Sequence, residues 1–195
     1  MNPDNLITSY FQNSILEREK FFSAQKENLF NSTKQTAIKL INGGKILVIC
    51  DEASKILASY FCNLLINSPD DYPAFPVIDL SCQSPFCGNI LTYSSSISRE
   101  IETLTQAQDI LIAFYFGPIP ENIIFSLEET RLKGAFSLGF LNKNNDNLWK
   151  SWNNAFMLNC PNFFMFIDSF LAFITIFIQL LNYYIFEDPA QLAAS

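Results

Sequence analysis

Residues 45–56 read Lys45-Ile46-Leu47-Val48-Ile49-Cys50-Asp51-Glu52-Ala53-Ser54-Lys55-Ile56, an apolar run of strand length that enters a polar turn and then a helical pattern. A continuous apolar run, rather than an alternating one, is what a parallel strand covered on both faces requires. Just upstream, Asn42-Gly43-Gly44 closes the preceding segment, glycine being the usual left-handed stop of a helix. Just downstream, Ile56, Tyr60 and Leu64 recur four apart, as do Leu57, Phe61 and Leu65. That spacing predicts a helix over residues 53–66.

The same alternation repeats outward. Strands are expected at 75–80, 109–116, 135–140 and 155–159, helices at 96–106 and 121–133, and a polar loop at 142–147. Upstream, Ile7, Phe11 and Ile15, then Phe22, Leu29 and Ile38, lie at helical spacing between Asp4 and Ile41. The expectation is an N-terminal helical arm over 1–42 and a domain over 43–195. Strands and helices in alternation predict an α/β fold of three layers, α/β/α, around a five-stranded parallel sheet.

The last element, Phe163 to Phe186, is apolar over 24 residues with one formal charge, Asp168. As a helix it would be about 36 Å long, enough for a hydrocarbon core of roughly 30 Å. Its polar residues Asp168, Thr175, Gln179 and Asn182 nevertheless fall on one stripe at about 100° per residue. A single stripe on an apolar helix is the pattern of burial on most sides, here against the sheet and a second subunit. No membrane span is expected, and a homo-oligomer, tetramer or dimer, is.

Composition narrows the chemistry. Across 195 residues, 12 Lys and Arg against 19 Asp and Glu give a net charge of −7, the wrong sign for gripping a phosphate backbone, so no direct nucleic-acid binding is expected. There is no His, which excludes imidazole as base, proton shuttle or metal ligand. The five cysteines, at 50, 62, 82, 87 and 160, form no Cys-x-x-Cys pair, so no metal, no disulfide framework and no cofactor are expected, and a reducing cytoplasm fits. The N-terminus carries no secretory pattern.

Several segments in order resemble one family. Gly43-Gly44-Lys45-Ile46-Leu47, the turn with Ser54, and the helix with Ala58 and Phe61 are followed by Pro76-Val77-Ile78-Asp79-Leu80-Ser81, Ile97-Ser98-Arg99-Glu100-Ile101 and Asp109-Ile110-Leu111-Ile112-Ala113. Together they resemble the SIS (sugar isomerase) domain, in the branch that holds phosphoheptose isomerases and DnaA initiator-associating proteins. The resemblance implies a sugar-phosphate site at the strand ends, of which Ser54, Ser81 and Gln83 are remnants.

The departures concern the chemistry. The family's first phosphate turn is glycine-rich, whereas this chain has Cys50-Asp51-Glu52-Ala53-Ser54 with two carboxylates. The second, serine-rich in the family, aligns with Tyr115-Phe116-Gly117-Pro118-Ile119-Pro120. A catalytic Glu aligns with Leu64, and the catalytic His has no counterpart, so no catalytic residue is assigned. The resemblance therefore implies a non-catalytic protein that regulates replication initiation by binding DnaA. A phosphoheptose isomerase-like enzyme and a sugar-phosphate sensor are the alternatives. Ile185 and Phe186, expected in register with the polar stripe and beside Leu6 and Tyr10 of the arm, are the candidate partner contacts.

Overall fold

The computed structural model describes residues 2–68, 71–82, 90–143, 151–160 and 162–193. Helix α1 runs over Pro3–Ile41, with the Asn2 side chain accepting from the Asp4 N–H at its start. It ends where Gly43 takes φ +82°. Gly44 is needed for a different reason: a Cβ there would lie 2.0 Å from the carbonyl oxygen of Gln108. Lys39, in the last turn, donates to the carbonyls of Ala107 and Gly134 at 2.6 and 2.7 Å, which fixes the end of α1 to the entry loops of the sheet.

The sheet consists of β1 (Ile46–Cys50), β2 (Val77–Asp79), β3 (Ile110–Tyr115), β4 (Phe136–Asn142) and β5 (Asn154–Leu158), all parallel, in the order β2-β1-β3-β4-β5. Helices α2 (Lys55–Ile66), α3 (Ile90–Leu104), α4 (Glu121–Leu132) and α5 (Phe163–Asn182) complete the three layers expected from the sequence, and a short α6 (Ala190–Ala193) follows. Ile46, Val48, Ile110, Ile112, Phe114, Phe140 and Phe156 face α1, α2 and α5. Leu47, Ile49, Leu111 and Ala113 face α3 and α4 through Ile97, Ile101, Ile123 and Leu127. Two covered faces are why the strands read as continuous apolar runs.

Some boundaries differ from the sequence reading. The strand expected at 75–80 is confined to Val77–Asp79, with Leu80 opening a 3-10 turn, and the helix expected from residue 96 begins at Ile90. Asn142, assigned to a polar loop, is the buried last residue of β4. Its amide nitrogen donates to the Cys160 carbonyl at 3.1 Å, and its oxygen accepts from the Cys160 N–H at 3.4 Å. A buried Asn satisfied on both sides sits as comfortably in a strand as an apolar residue. Residues 144–147 of that loop lie outside the described residues.

Helix α5 is partly covered by the chain's own elements. Its segment Phe163–Glu187 is long and apolar enough to cross a membrane, with mean hydropathy 2.1, but Phe166, Phe170, Phe173 and Phe177 are fully buried in the protein's own core. The polar stripe is only partly open to solvent. The Ser14 hydroxyl of α1 donates to Asp168 at 2.7 Å, Arg18 lies 3.7 Å from the same carboxylate, and Thr175 shares a hydrogen bond of 2.9 Å with Tyr60 of α2. Asn182 is buried and Gln179 exposed. The chain's own α1 and α2 thus cover Asp168 and Thr175, while Phe164 and Ile176 of the same helix stay exposed.

Candidate functional site

In the order β2-β1-β3-β4-β5 the crevice between the carboxyl ends of β1 and β3 is the topological switch point, where open α/β sheets bind ligands. The turn after β1, the start of α2 and the loop after β3 meet there. Their backbone N–H groups converge on a single group, the carboxylate of Asp51. Oδ1 accepts from the Ser54 N–H at 2.8 Å, and Oδ2 accepts from the N–H groups of Phe116 at 3.0 Å and Gly117 at 2.7 Å. Donors from two loops aimed at one point form an anion cradle, and the chain fills this one with its own charge. A Cβ on Gly117 would stand 3.3 Å from Oδ2, so this close approach favours glycine.

The expected remnants are placed as follows. Ser54 is fully buried at the start of α2; its hydroxyl makes no helix cap and instead accepts from the Phe116 N–H at 3.2 Å. Ser81 is buried after β2, its N–H donating to Asp79 at 2.9 Å and its hydroxyl donating to the same oxygen. Gln83 lies outside the described residues. Cys50 ends β1 beside these groups; burial, with Asp79 and Asp51 nearby, pushes its thiol up to about 12 against the relief of a Ser81 hydrogen bond and Lys55. Such a thiol is not a nucleophile at neutral pH. Leu64 packs half-buried on the core from α2. Among the described residues no cluster of three His, Cys, Asp or Glu could hold a metal.

The carboxylates described in the crevice, Asp51 and Asp79, are both engaged within the chain. Moving a proton between neighbouring sugar carbons needs a carboxylate or imidazole with a lone pair directed at substrate. Asp51 spends its oxygens on three backbone donors, and Asp79 is engaged by Ser81. The sequence reading noted Asp51 only as one of two carboxylates in place of a glycine-rich turn and missed that it occupies the donors itself. The readable signal was an Asp three residues before a helix-starting Ser, the spacing of a side-chain-to-backbone turn.

The expected partner contacts divide into two places. Helix α5 does not continue regularly to Phe186: residues Tyr183–Glu187 form one π turn, which changes the register extrapolated from the stripe. Ile185 is half-buried against the core, and Phe186 is 37% exposed. The Phe186 ring stacks on Tyr72 at 5.2 Å and 7° and lies 5.7 Å from Phe75; the Tyr72 hydroxyl donates to Glu187 at 2.6 Å. Beside this aromatic cluster runs an open groove of about 540 Å³, lined by Tyr72, Ile176, Gln179, Asn182 and Glu187 among others.

The arm residues are elsewhere. Helices α1 and α5 run in the same direction, since Ser14 meets Asp168, Phe21 meets Phe170, and Lys34 lies over the Tyr184 ring. Tyr10 is therefore about 36 Å along α1 from the level of Tyr184, and Leu6 is farther still. This corrects the expectation that Leu6 and Tyr10 flank Phe186. Tyr10 is exposed on the free end of α1.

Comparisons with known proteins agree with this geometry. The family model described as "HobA: DNA replication regulator" matches residues 4–130. A phosphoheptose isomerase from Desulfovibrio desulfuricans is 26% identical over 193 residues, covering 97% of this chain and 92% of that protein. Among solved structures, a phosphoheptose isomerase from Francisella tularensis superposes with a TM-score of 0.81 at 21% identity, covering 93% of this chain and 98% of its own. The HobA–DnaA (domain I-II) complex from Helicobacter pylori matches with a TM-score of 0.56 at 18% identity, covering 95% of this chain and 97% of that one. The SIS fold expected from the sequence is thus the fold observed, and with its family model covering most of the length, the chain belongs to the HobA family of DNA replication regulators.

Proposed function

We propose that this chain is a non-catalytic regulator of replication initiation that binds DnaA in the cytoplasm as a homo-oligomer. The observation that carries the non-catalytic reading is the crevice in which Asp51 occupies the N–H groups of Ser54, Phe116 and Gly117. A sugar phosphate would have to take those donors from a covalently attached competitor and sit against its charge. At an effective dielectric near a protein surface, two like charges about 4 Å apart repel by roughly 4 kcal/mol. The family match and the fold shared with the Helicobacter pylori HobA of the DnaA complex support the partner.

The partner surface in this reading is centred on Phe186, supported by Tyr72 and Phe75 and continuous with the groove along α5. An aromatic ring held by neighbours and open on one side is a typical interface anchor. Repeated by oligomer symmetry, it would gather several DnaA molecules on one assembly.

The similarity to phosphoheptose isomerases over 97% of the chain favours a second reading, a sugar-phosphate isomerase with relocated groups. Incubation with sedoheptulose 7-phosphate separates the two. The proposal expects no turnover above background, and turnover scaling with protein concentration would decide for the isomerase.

A further inference from the structure

The C-terminal end of α5 is a negative pole that the chain does not compensate. A 20-residue helix gathers partial negative charge on its last carbonyls, yet neither its last turn nor the π turn Tyr183–Glu187 carries a basic residue. Two carboxylates follow instead, Glu187 and Asp188. The open groove of about 540 Å³ lies against this end, lined by residues of α5, the π turn and Tyr72, none of them Lys or Arg. One lining residue, Asn182, is only 3% exposed, and its Oδ1 has no hydrogen-bond partner among the described residues. A buried oxygen without a donor costs stability until a donor reaches it.

We infer that this groove takes the guanidinium of an arginine side chain presented by the protein partner. The inference rests on the partner surface proposed above and names the chemistry that surface takes. The Tyr72 hydroxyl donates to Glu187 Oε1 at 2.6 Å, which holds the carboxylate at the groove wall. Asp188 is committed within the chain, accepting from the Tyr183 hydroxyl at 3.1 Å and from the Gln191 amide at 2.7 Å, so Glu187 is the charge that the groove offers. A guanidinium carries five N–H donors, enough for the Glu187 carboxylate and the Asn182 oxygen together. Planar and weakly hydrated, it also stacks on aromatic rings, which the groove supplies in Tyr72 and Tyr183. Ile176 and Leu180 of the lining give its methylene stem an apolar wall. An ammonium matches the charge, but it is compact and strongly hydrated and has no plane to stack.

The test is saturation-transfer NMR on the full chain, with N-acetyl-arginine methylamide at millimolar concentration as the probe. The lysine and citrulline compounds are the comparators, the first keeping the charge and the second the shape. The arginine compound should give the strongest transfer, weakened about two- to fivefold by Glu187→Gln and unchanged by Glu128→Gln, an exposed carboxylate on α4. A second variant acts without removing any contact: Gln179 is exposed, and Gln179→Lys sets a cation of the chain's own at the negative pole. The arginine signal should then fall while the melting temperature holds or rises. Equal transfer from the lysine or the citrulline compound overturns the proposal, as does an arginine signal that survives both Glu187→Gln and Gln179→Lys. Capture of DnaA separates this inference from the reading beneath it. Gln179→Lys chains that capture DnaA as well as the unmodified chain overturn the arginine and leave the DnaA reading standing. An arginine signal in a chain that captures no DnaA keeps the groove and removes that reading.

Discussion

At the scale of single residues the account turns on Asp51. One carboxylate accepts from three backbone N–H groups at the end of the sheet, two of which share a second acceptor, the Asp51 carbonyl for Ser54 and the Ser54 hydroxyl for Phe116. Hydrogen bonds to a charged group contribute about 1.5–3 kcal/mol each and are not additive, so Asp51→Ala should cost about 3 kcal/mol. Calorimetry should show a melting temperature lower by about 6–12 °C; a fall under about 2 °C would mean the carboxylate is not the clasp described. Cys50 gives a second check. Its thiol, pushed up to about 12, holds roughly one part in 10⁴ as thiolate at pH 8, against about a quarter for an ordinary cysteine. Native protein treated with iodoacetamide at pH 8 should yield a Cys50 peptide without modification. Labelling as fast as that of an exposed cysteine would show the strand end to be open.

At the scale of elements, the sequence was legible where the signal is local and silent where it is not. Ile46–Cys50 declares a doubly covered strand from its own side chains, and Gly43-Gly44 declares the corner before it. The polar stripe of α5 was equally readable, but its neighbours were not, because Asp168 is bonded to a residue 154 positions away and Thr175 to one 115 away. The π turn at Tyr183–Glu187 likewise has no periodic signature, and it decides where Phe186 points. The cradle was half legible: Asp51 and Ser54 are three apart, while Phe116 and Gly117 reach them only through the sheet. Because the Phe186 ring stacks on Tyr72, Phe186→Ala should lose about 1 kcal/mol of aromatic packing, a melting shift of about 2–4 °C. Capture of DnaA should weaken at least about thirtyfold, the loss of a 2 kcal/mol anchor. Capture at the level of the unmodified chain would remove this patch from the account.

At the scale of the whole molecule, a fold shared with phosphoheptose isomerases carries at its switch point a crevice whose backbone donors bind the chain's own Asp51. Among the described residues, the aromatic patch around Phe186 lies well separated along α1 from the exposed apolar residues of the arm, such as Phe11. The central claim, that this molecule binds the initiator rather than turning over a sugar phosphate, is tested most directly by isothermal titration of DnaA domains I-II from the same organism into the purified chain. The account predicts saturable heat with one DnaA bound per chain, undiminished by millimolar sedoheptulose 7-phosphate. The absence of binding heat at tens of micromolar of both proteins would contradict it.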